Sequence, residues 1–457
     1  MHVVKELETP FQYPILRNVV KHIFRTVLGT APPRPKRRGL RGDFPMNHSL
    51  NEVVIVNDSA HINGGSSHVA LSSAIALAQA GAPVTVFAAV GPVMPELLET
   101  PNLRLILTNQ YEIVSDPSRA RAATQGIWNL SAANSFGHML EQLDPEHSII
   151  HAHGWTKALS SSVFRVALDK KFRTIITLHE YFTACPNGSF YNHQRQEICT
   201  LDPMSLRCIR ENCDSRSYPQ KLWRVARQAV QRTIGAVPAG IKDFITISDF
   251  SEAILAPLLP TTARLHRVNN PIDAKCQMKV PVDERDAFTY VGRLSPEKGV
   301  ILFARAAKDA GVKAVFVGDG ECADAIRQCN QTAIITGWLP RDGVNEYLQK
   351  ARALVFPSLW YENSPLVISE AAALGVPAIV ADTSAARQYV ADGLTGRYFR
   401  GHDATSLTAA LVLLKNAPLA AILGAEAYRR YWTSPRPMTR HISDLTRVYE
   451  RVMHNAA

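Results

Sequence analysis

The sequence predicts an α/β protein built from two doubly wound, Rossmann-like domains that face one another across a cleft. Three observations carry this reading. Short apolar runs alternate with longer helical patterns from about residue 50 onward. The alternation stops near Val268–Asp273 (VNNPID), crosses a polar stretch at Pro281–Asp286, and restarts with a fresh strand at Ala287–Val291 (AFTYV). The chain has 457 residues, more than one ordinary core of ~100–200 residues accommodates.

The first half opens with Glu52–Asn57 (EVVIVN), a buried-strand pattern. A glycine turn at Gly64–Gly65, a helical run over Ser67–Ala80 and a second strand at Pro83–Ala88 complete one βαβ unit. Ser148–His151, Thr174–Leu178 and Asp243–Ile247 read as further strands with helices between them. In the second half the strands are Ala287–Val291, Ala314–Val317, Ala333–Thr336, Ala353–Phe356 and Pro377–Val380. Apolar spacing at Leu445, Val448, Tyr449 and Val452 predicts a closing helix. The expected organisation is an extension over 1–48, a first domain over 49–274 with an insertion at 181–218, a second domain over 275–435, and a helix over 436–457. Ligands of such sheets bind outside the carboxyl ends of the strands, here the cleft.

Hydrophobic residues make up 46% and charged residues 20%, an ordinary globular balance. No run of 18 apolar residues and no leader pattern appears, so a cytoplasmic location is expected. Of the net +10, residues 1–45 hold nine Lys or Arg against three Asp or Glu, a net of +6. Ile15–Leu28 places its apolar residues on one helical stripe, next to a Pro/Arg-rich stretch. That pattern suits a peripheral contact with a membrane face, and equally a loosely ordered extension. No nucleic-acid-binding motif accompanies the charge, so no nucleic acid is expected.

Two clusters carry chemistry. After strand AFTYV, the loop Gly292–Gly299 (GRLSPEKG) presents Arg293 and Lys298 and then starts a helix. Free amides at a helix start, a guanidinium fork and an ammonium suit an anion; a pair of surface charges is the plainer reading. After strand ALVF come Glu362, Asn363, Ser364, Pro365, Leu366, Val367 and, seven residues beyond Glu362 with one more step, Glu370. Glu362 lies in the loop and Glu370 on the helix behind it; taken alone, this also fits a capped helix.

The two clusters occur in order, each at a strand end of one domain. With Val317–Gly320 (VGDG), Thr336–Trp338 (TGW), Pro357–Ser358 and Ala372–Pro377 (AALGVP), they resemble the retaining glycosyltransferases of family four, which have the GT-B architecture. The resemblance spans roughly 50–430 and is strongest in the second half. It implies that Arg293 and Lys298 bind the donor diphosphate, that Glu370 grips the ribose, and that Glu362 holds the donor sugar at the reacting carbon. It implies that the amides of Asn363–Val367 support phosphates and sugar, and that Gly318, Gly320, Trp338 and Leu339 lie near the nucleotide. Gly64 and Gly65 match the family's phosphate-approaching glycine loop, and His179 a histidine that reaches the donor sugar. The implied reaction moves a sugar from a nucleoside diphosphate sugar to an acceptor hydroxyl with retention. A lipid-linked saccharide of surface polysaccharide or glycolipid assembly is the preferred acceptor. With no Asp-x-Asp placed for a divalent ion, catalysis is expected to need no cofactor.

Cys185, Cys199, Cys208 and Cys213 lie in the polar insertion, spaced C-x13-C-x8-C-x4-C. They read as a structural zinc site, as reduced buried cysteines or as disulfides. Cys276, Cys322 and Cys329 read as core filler. Lys221, Arg224, Arg227 and Arg232 follow on a helix and read as a solvated basic face or a phosphorylated-lipid contact. A silent scaffold of the same fold is the alternative function, and the presence of Arg293, Lys298 and Glu362 weighs against it. A nicotinamide-dependent oxidoreductase is set aside because neither half opens with G-x-G-x-x-G.

Overall fold

The computed structural model describes residues 50–454. The amphipathic stretch Ile15–Leu28 and the basic stretch after it lie outside the described residues.

The first sheet has seven strands: β1 (Glu52–Ser59), β2 (Val84–Val90), β3 (Leu103–Leu107), β4 (Ser148–Ala152), β5 (Arg173–Thr177), β6 (Asp243–Thr246) and β7 (Arg264–Arg267). Their order is β3-β2-β1-β4-β5-β6-β7, parallel throughout. Val53–Val56 are wholly buried, which explains why β1 reads as a continuous apolar run. The second sheet has β8 (Ala287–Val291), β9 (Lys313–Val317), β10 (Ile334–Ile335), β11 (Ala351–Phe356), β12 (Ala378–Ala381) and β13 (Gly396–Phe399), in the order β10-β9-β8-β11-β12-β13, again parallel.

Both sheets therefore reverse strand order at one point, between β1 and β4 and between β8 and β11. In an open α/β sheet the crevice at that switch point takes the ligand. The loops leaving it are Gly292–Gly299 after β8 and Pro357–Pro365 after β11, which are the two sequence clusters. They are pressed together by glycines. Gly299 has φ +70, and a Cβ there would run into the Pro357 carbonyl. Gly318 has φ +146, and a Cβ there would run into the Gly292 carbonyl. Only glycine fits both the backbone and the approach.

The helices that frame the site are α1 (Gly65–Gln79), α2 (Tyr218–Thr233), α3 (Val300–Ala310), α4 (Leu366–Leu374) and α5 (Met438–His454). Helix α5 returns to the first domain. Ile442, Leu445, Val448, Tyr449 and Val452 pack with Val53, Ile55, Ala70 and Leu77. The 3.6-residue spacing identified this helix, but not the domain it closes on. No single helix among the described residues is long and apolar enough to cross a membrane. The bent apolar pair Ala404–Leu414 and Ala417–Thr433 instead buries Leu407, Leu411, Leu414 and Leu423 in the second core.

Candidate active site

Lys298 and Glu362 form the centre. Lys298 Nζ donates to Glu362 Oε1 at 2.6 Å, and Ser358 Oγ and Trp360 Nε1 donate to the same oxygen at 2.6 and 2.7 Å. Lys298 Nζ also lies 4.8 Å over the Trp360 ring. Burial alone would push the Glu362 carboxyl up, but the Lys298 charge and the three hydrogen bonds more than offset it, and the group lies below its ordinary range. Arg293 donates to Glu297 Oε1 at 2.8 Å from a side chain 68% exposed. Ser295 Oγ braces the same carboxylate at 2.6 Å. The guanidinium is thus anchored at one edge, with its other donors open to the cleft.

Helix α4 starts at Pro365 without a side-chain cap. The alternative of an ordinary capped helix therefore does not hold, and its first amides stay free for an anion. Asn363, one candidate cap, instead donates its Nδ2 to the His179 carbonyl of the first domain. Ser364 Oγ lies 2.8 Å from Tyr389 OH. Glu370 is met by Arg341 Nη2 at 3.4 Å, and Arg341 also holds Asp273 at 3.1 Å. Burial pushes the Glu370 carboxyl up, with Arg341 acting against it. Arg341 was not identified from sequence, since a lone arginine after a proline carries no signal. Leu366 packs beside Ile272 and Tyr431. A cavity of ≈ 290 Å³ on another face of α4, against Ser369, Ala372, Tyr389 and Arg436, includes neither glutamate.

In the loop after β10, Trp338 is 77% exposed. Leu339 turns the other way and packs against Val315 and Val317, so its side chain supports the loop. Gly320 (φ +155) presses against the Leu294 carbonyl, locking the loop after β9 to the Arg293 loop.

The facing wall comes from the first domain. A Cβ placed on Gly64 or Gly65 would meet nothing within 4 Å. The φ of Gly64 is 162°, ordinary extended backbone. Neither glycine is required by the protein itself. His68, one turn along α1, is held below its ordinary range by burial and then by the Arg341 charge, which places the start of α1 beside the Arg341–Glu370 pair. His179 lies two residues beyond the end of β5, and its Nε2 lies 2.9 Å from His153 Nδ1. Asp58 accepts three backbone amides, from Lys157, Ala158 and Leu159, each at 2.9 Å, and so braces the loop after β4.

His151, His153, His179 and His441 are all held neutral by burial, with His151 and His179 at about 3 and His441 at about 4. The unfolded chain binds protons at these groups below about pH 6.5, while the folded chain resists. Stability is therefore complete above that pH and is lost progressively as the pH falls. Calorimetric scans should show Tm dropping steadily from about pH 6.5 to pH 4. A flat Tm over that window would contradict the buried neutral state.

The insertion corrects one expectation. Lys221 is fully buried, Arg227 is 7% exposed, and Arg224 pairs with buried Asp214 at 2.6 Å. Arg227 donates to the Thr156 carbonyl and lies 4.8 Å over the Phe182 ring, and Arg232 donates to the Ala184 carbonyl. The basic side of α2 is neither a solvated face nor a lipid contact; it turns inward and holds the irregular insertion in place. Cys208 and Cys213 of the insertion meet the same helix. Among the described residues no group of three or more His, Cys, Asp or Glu is arranged to hold a metal. The Lys221 ammonium donates to Cys213 Sγ at 3.2 Å and to Cys208 Sγ at 3.6 Å, so a cation of the chain itself meets two of the four sulfurs. Burial holds the Cys213 thiol up at about 11, and all seven cysteines are free. Elemental analysis of purified protein should find no stoichiometric zinc; one zinc per chain would overturn this. Cys276, read as core filler, is exposed.

Residues 285–416 match the model of a family described as Glycosyl transferases group 1. The chain is 37% identical over 131 residues to the putative teichuronic acid biosynthesis glycosyltransferase TuaC of Bacillus subtilis (strain 168), covering 27% of this chain and 33% of that protein. It is 34% identical over 139 residues to the UDP-Gal:alpha-D-GlcNAc-diphosphoundecaprenol alpha-1,3-galactosyltransferase of Escherichia coli, covering 27% and 35%. The chain thus spans about a third of the length of these relatives. Anabaena Alr3699/HepE, solved in complex with UDP and glucose, superposes with a TM-score of 0.61 at 14% identity, covering 88% of this chain and 99% of that one. The fold is the GT-B architecture of solved glycosyltransferases, as the resemblance implied.

Proposed function

We propose that the protein is a glycosyltransferase that moves a sugar, with retention, from a nucleoside diphosphate sugar to a hydroxyl of a saccharide or lipid-linked saccharide. The observation that carries this reading is the Lys298–Glu362 pair, set with Arg293 at the switch point of one sheet, opposite the uncovered glycines of the other. Arg293, Lys298 and the open start of α4 neutralise the diphosphate as it leaves. Trp338 covers the base, Glu370 takes the ribose hydroxyls once Arg341 yields, and Glu362 orients the sugar. The bond from C1 to the diphosphate oxygen breaks and its electron pair stays on that oxygen. The acceptor hydroxyl attacks C1 from the same face and gives its proton to the departing oxygen. Fixed cations supply the charge a divalent ion would otherwise bring, so transfer should survive chelation. The relative that acts on a diphosphoundecaprenol-linked sugar supports a lipid-linked acceptor in polysaccharide or glycolipid assembly, at the cytoplasmic membrane face.

A panel of nucleoside diphosphate sugars tests this directly. One donor should bind saturably and hydrolyse slowly without acceptor. Saturable binding with neither hydrolysis nor transfer to any glycan acceptor would favour the silent scaffold, and no binding to any donor would sink the reading.

A further inference from the structure

Two buried ring nitrogens beside the cleft lack partners. His153 Nε2 and Trp155 Nε1 make no hydrogen bond among the described residues, and their residues are 3% and 5% exposed. Buried polar atoms are nearly always paired, so each such exception asks for a cause. Both residues line one cavity of ≈ 10 Å³, with His179 and Glu180 also on its wall. A space of that order holds one water when polar groups surround it. The other nitrogen of His153, Nδ1, lies 2.9 Å from His179 Nε2, and the two rings stack with centroids 5.1 Å apart. Both rings are neutral in the fold, so each carries a single N–H, and a ring that donates at one nitrogen accepts at the other.

We propose that this cavity holds one water, which accepts from the Trp155 N–H and donates to His153 Nε2, and that this fixes the proton of His179 on Nδ1. The indole nitrogen can only donate, so it occupies a lone pair of the water. In the proposed arrangement one proton of the water goes to His153 Nε2 and the other to an acceptor on the wall such as Glu180. With Nε2 accepting, His153 carries its proton on Nδ1 and donates it to His179 Nε2. His179 is left with Nδ1–H, the nitrogen that makes no hydrogen bond among the described residues, its Nε2 being the one that meets His153. An N–H there donates to a sugar hydroxyl oxygen. His153 and Trp155 are thus positioning residues. The catalytic consequence rests on the reading of His179 as the residue that meets the donor sugar; the proton order does not.

The test uses the full chain with 15N-labelled histidine rings, whose two-bond proton correlations show which nitrogen carries the proton. Wild type should show His179 as Nδ1–H with no sugar present. Trp155→Phe deletes the N–H together with part of a buried ring that packs on Phe164, so its Tm is read alongside. It should move His179 toward a tautomer mixture and lower kcat about tenfold, leaving donor KM within about twofold. Adding His153→Asn, whose amide nitrogen takes the place of Nδ1, should restore the Nδ1–H form without the water. His179 as Nε2–H in wild type, or an unchanged tautomer in Trp155→Phe, would overturn the proposal. A tautomer that responds while transfer stays at full rate would uphold the relay and remove His179 from the donor site.

Discussion

Glu362→Gln and Lys298→Ala should each cut sugar transfer by roughly 10³-fold or more while leaving the fold intact. Glu362 Oε1 accepts three donors at once, from Lys298, Ser358 and Trp360. Glutamine keeps one oxygen for them but removes the charge that balances Lys298, and its amide adds a donor where only donors already point. Lys298→Ala removes a cation that the proposed function sets against the leaving diphosphate, and strands a carboxylate that is largely buried. Removing one member of a buried pair generally costs about 3–5 kcal/mol; at 20% and 13% exposure this pair should lie toward the lower end of that range. The stability share has a pH signature. The folded Glu362 carboxyl lies below its unfolded range, so the pair contributes fully above that range and is lost as the pH falls through the folded value. The Tm gap between wild type and Glu362→Gln should therefore close in acid. Full transfer by both variants with a verified acceptor would refute this site.

How much of this could be read in advance follows from what each residue touches. The apolar strands β1 and β8 are buried on both faces, and their runs announced them. The edge strands β3, β7 and β13 went unread. In β7 the sequence RLHR is polar because Arg264 and His266 both bind Asp243 of the neighbouring strand, a pairing across 21 and 23 residues that no local pattern displays. The donor cluster was legible because its charges, glycines and strand ends recur at fixed short spacing. The Arg341–Glu370 contact was not, because it forms across 29 residues. The cysteine spacing gave no sign of Lys221 for a related reason. The cation that meets Cys208 and Cys213 stands on a helix whose amphipathic pattern left open which side faced solvent. The exposed apolar positions Leu222 and Tyr218 sit where a soluble helix would normally carry its charges. The helix that holds the insertion reverses the usual pattern.

Gly65→Val should separate stability from function. A Cβ at Gly65 meets no atom of the described residues within 4 Å, and the residue opens a 15-residue helix, so neither a Cβ clash nor a strained backbone opposes the change. Replacing glycine also narrows the unfolded ensemble, a gain of roughly 0.4–1 kcal/mol that valine's weaker helix propensity partly offsets. Thermal unfolding should therefore stay within a few degrees of wild type, at about 1 kcal/mol or less of change. Donor binding should fall by about a hundredfold, some 2.7 kcal/mol. The reason is that the space left open by the glycine is the space a diphosphate must enter to reach the α1 amides. The same amides cannot bind phosphate oxygens across an isopropyl group. Calorimetric titration with the donor found by the panel, paired with a melting curve, reads both quantities on one sample. Wild-type affinity in Gly65→Val would show that the donor lies wholly against the second domain. A large loss of Tm would instead show that the glycine serves the fold, which the open space around it contradicts.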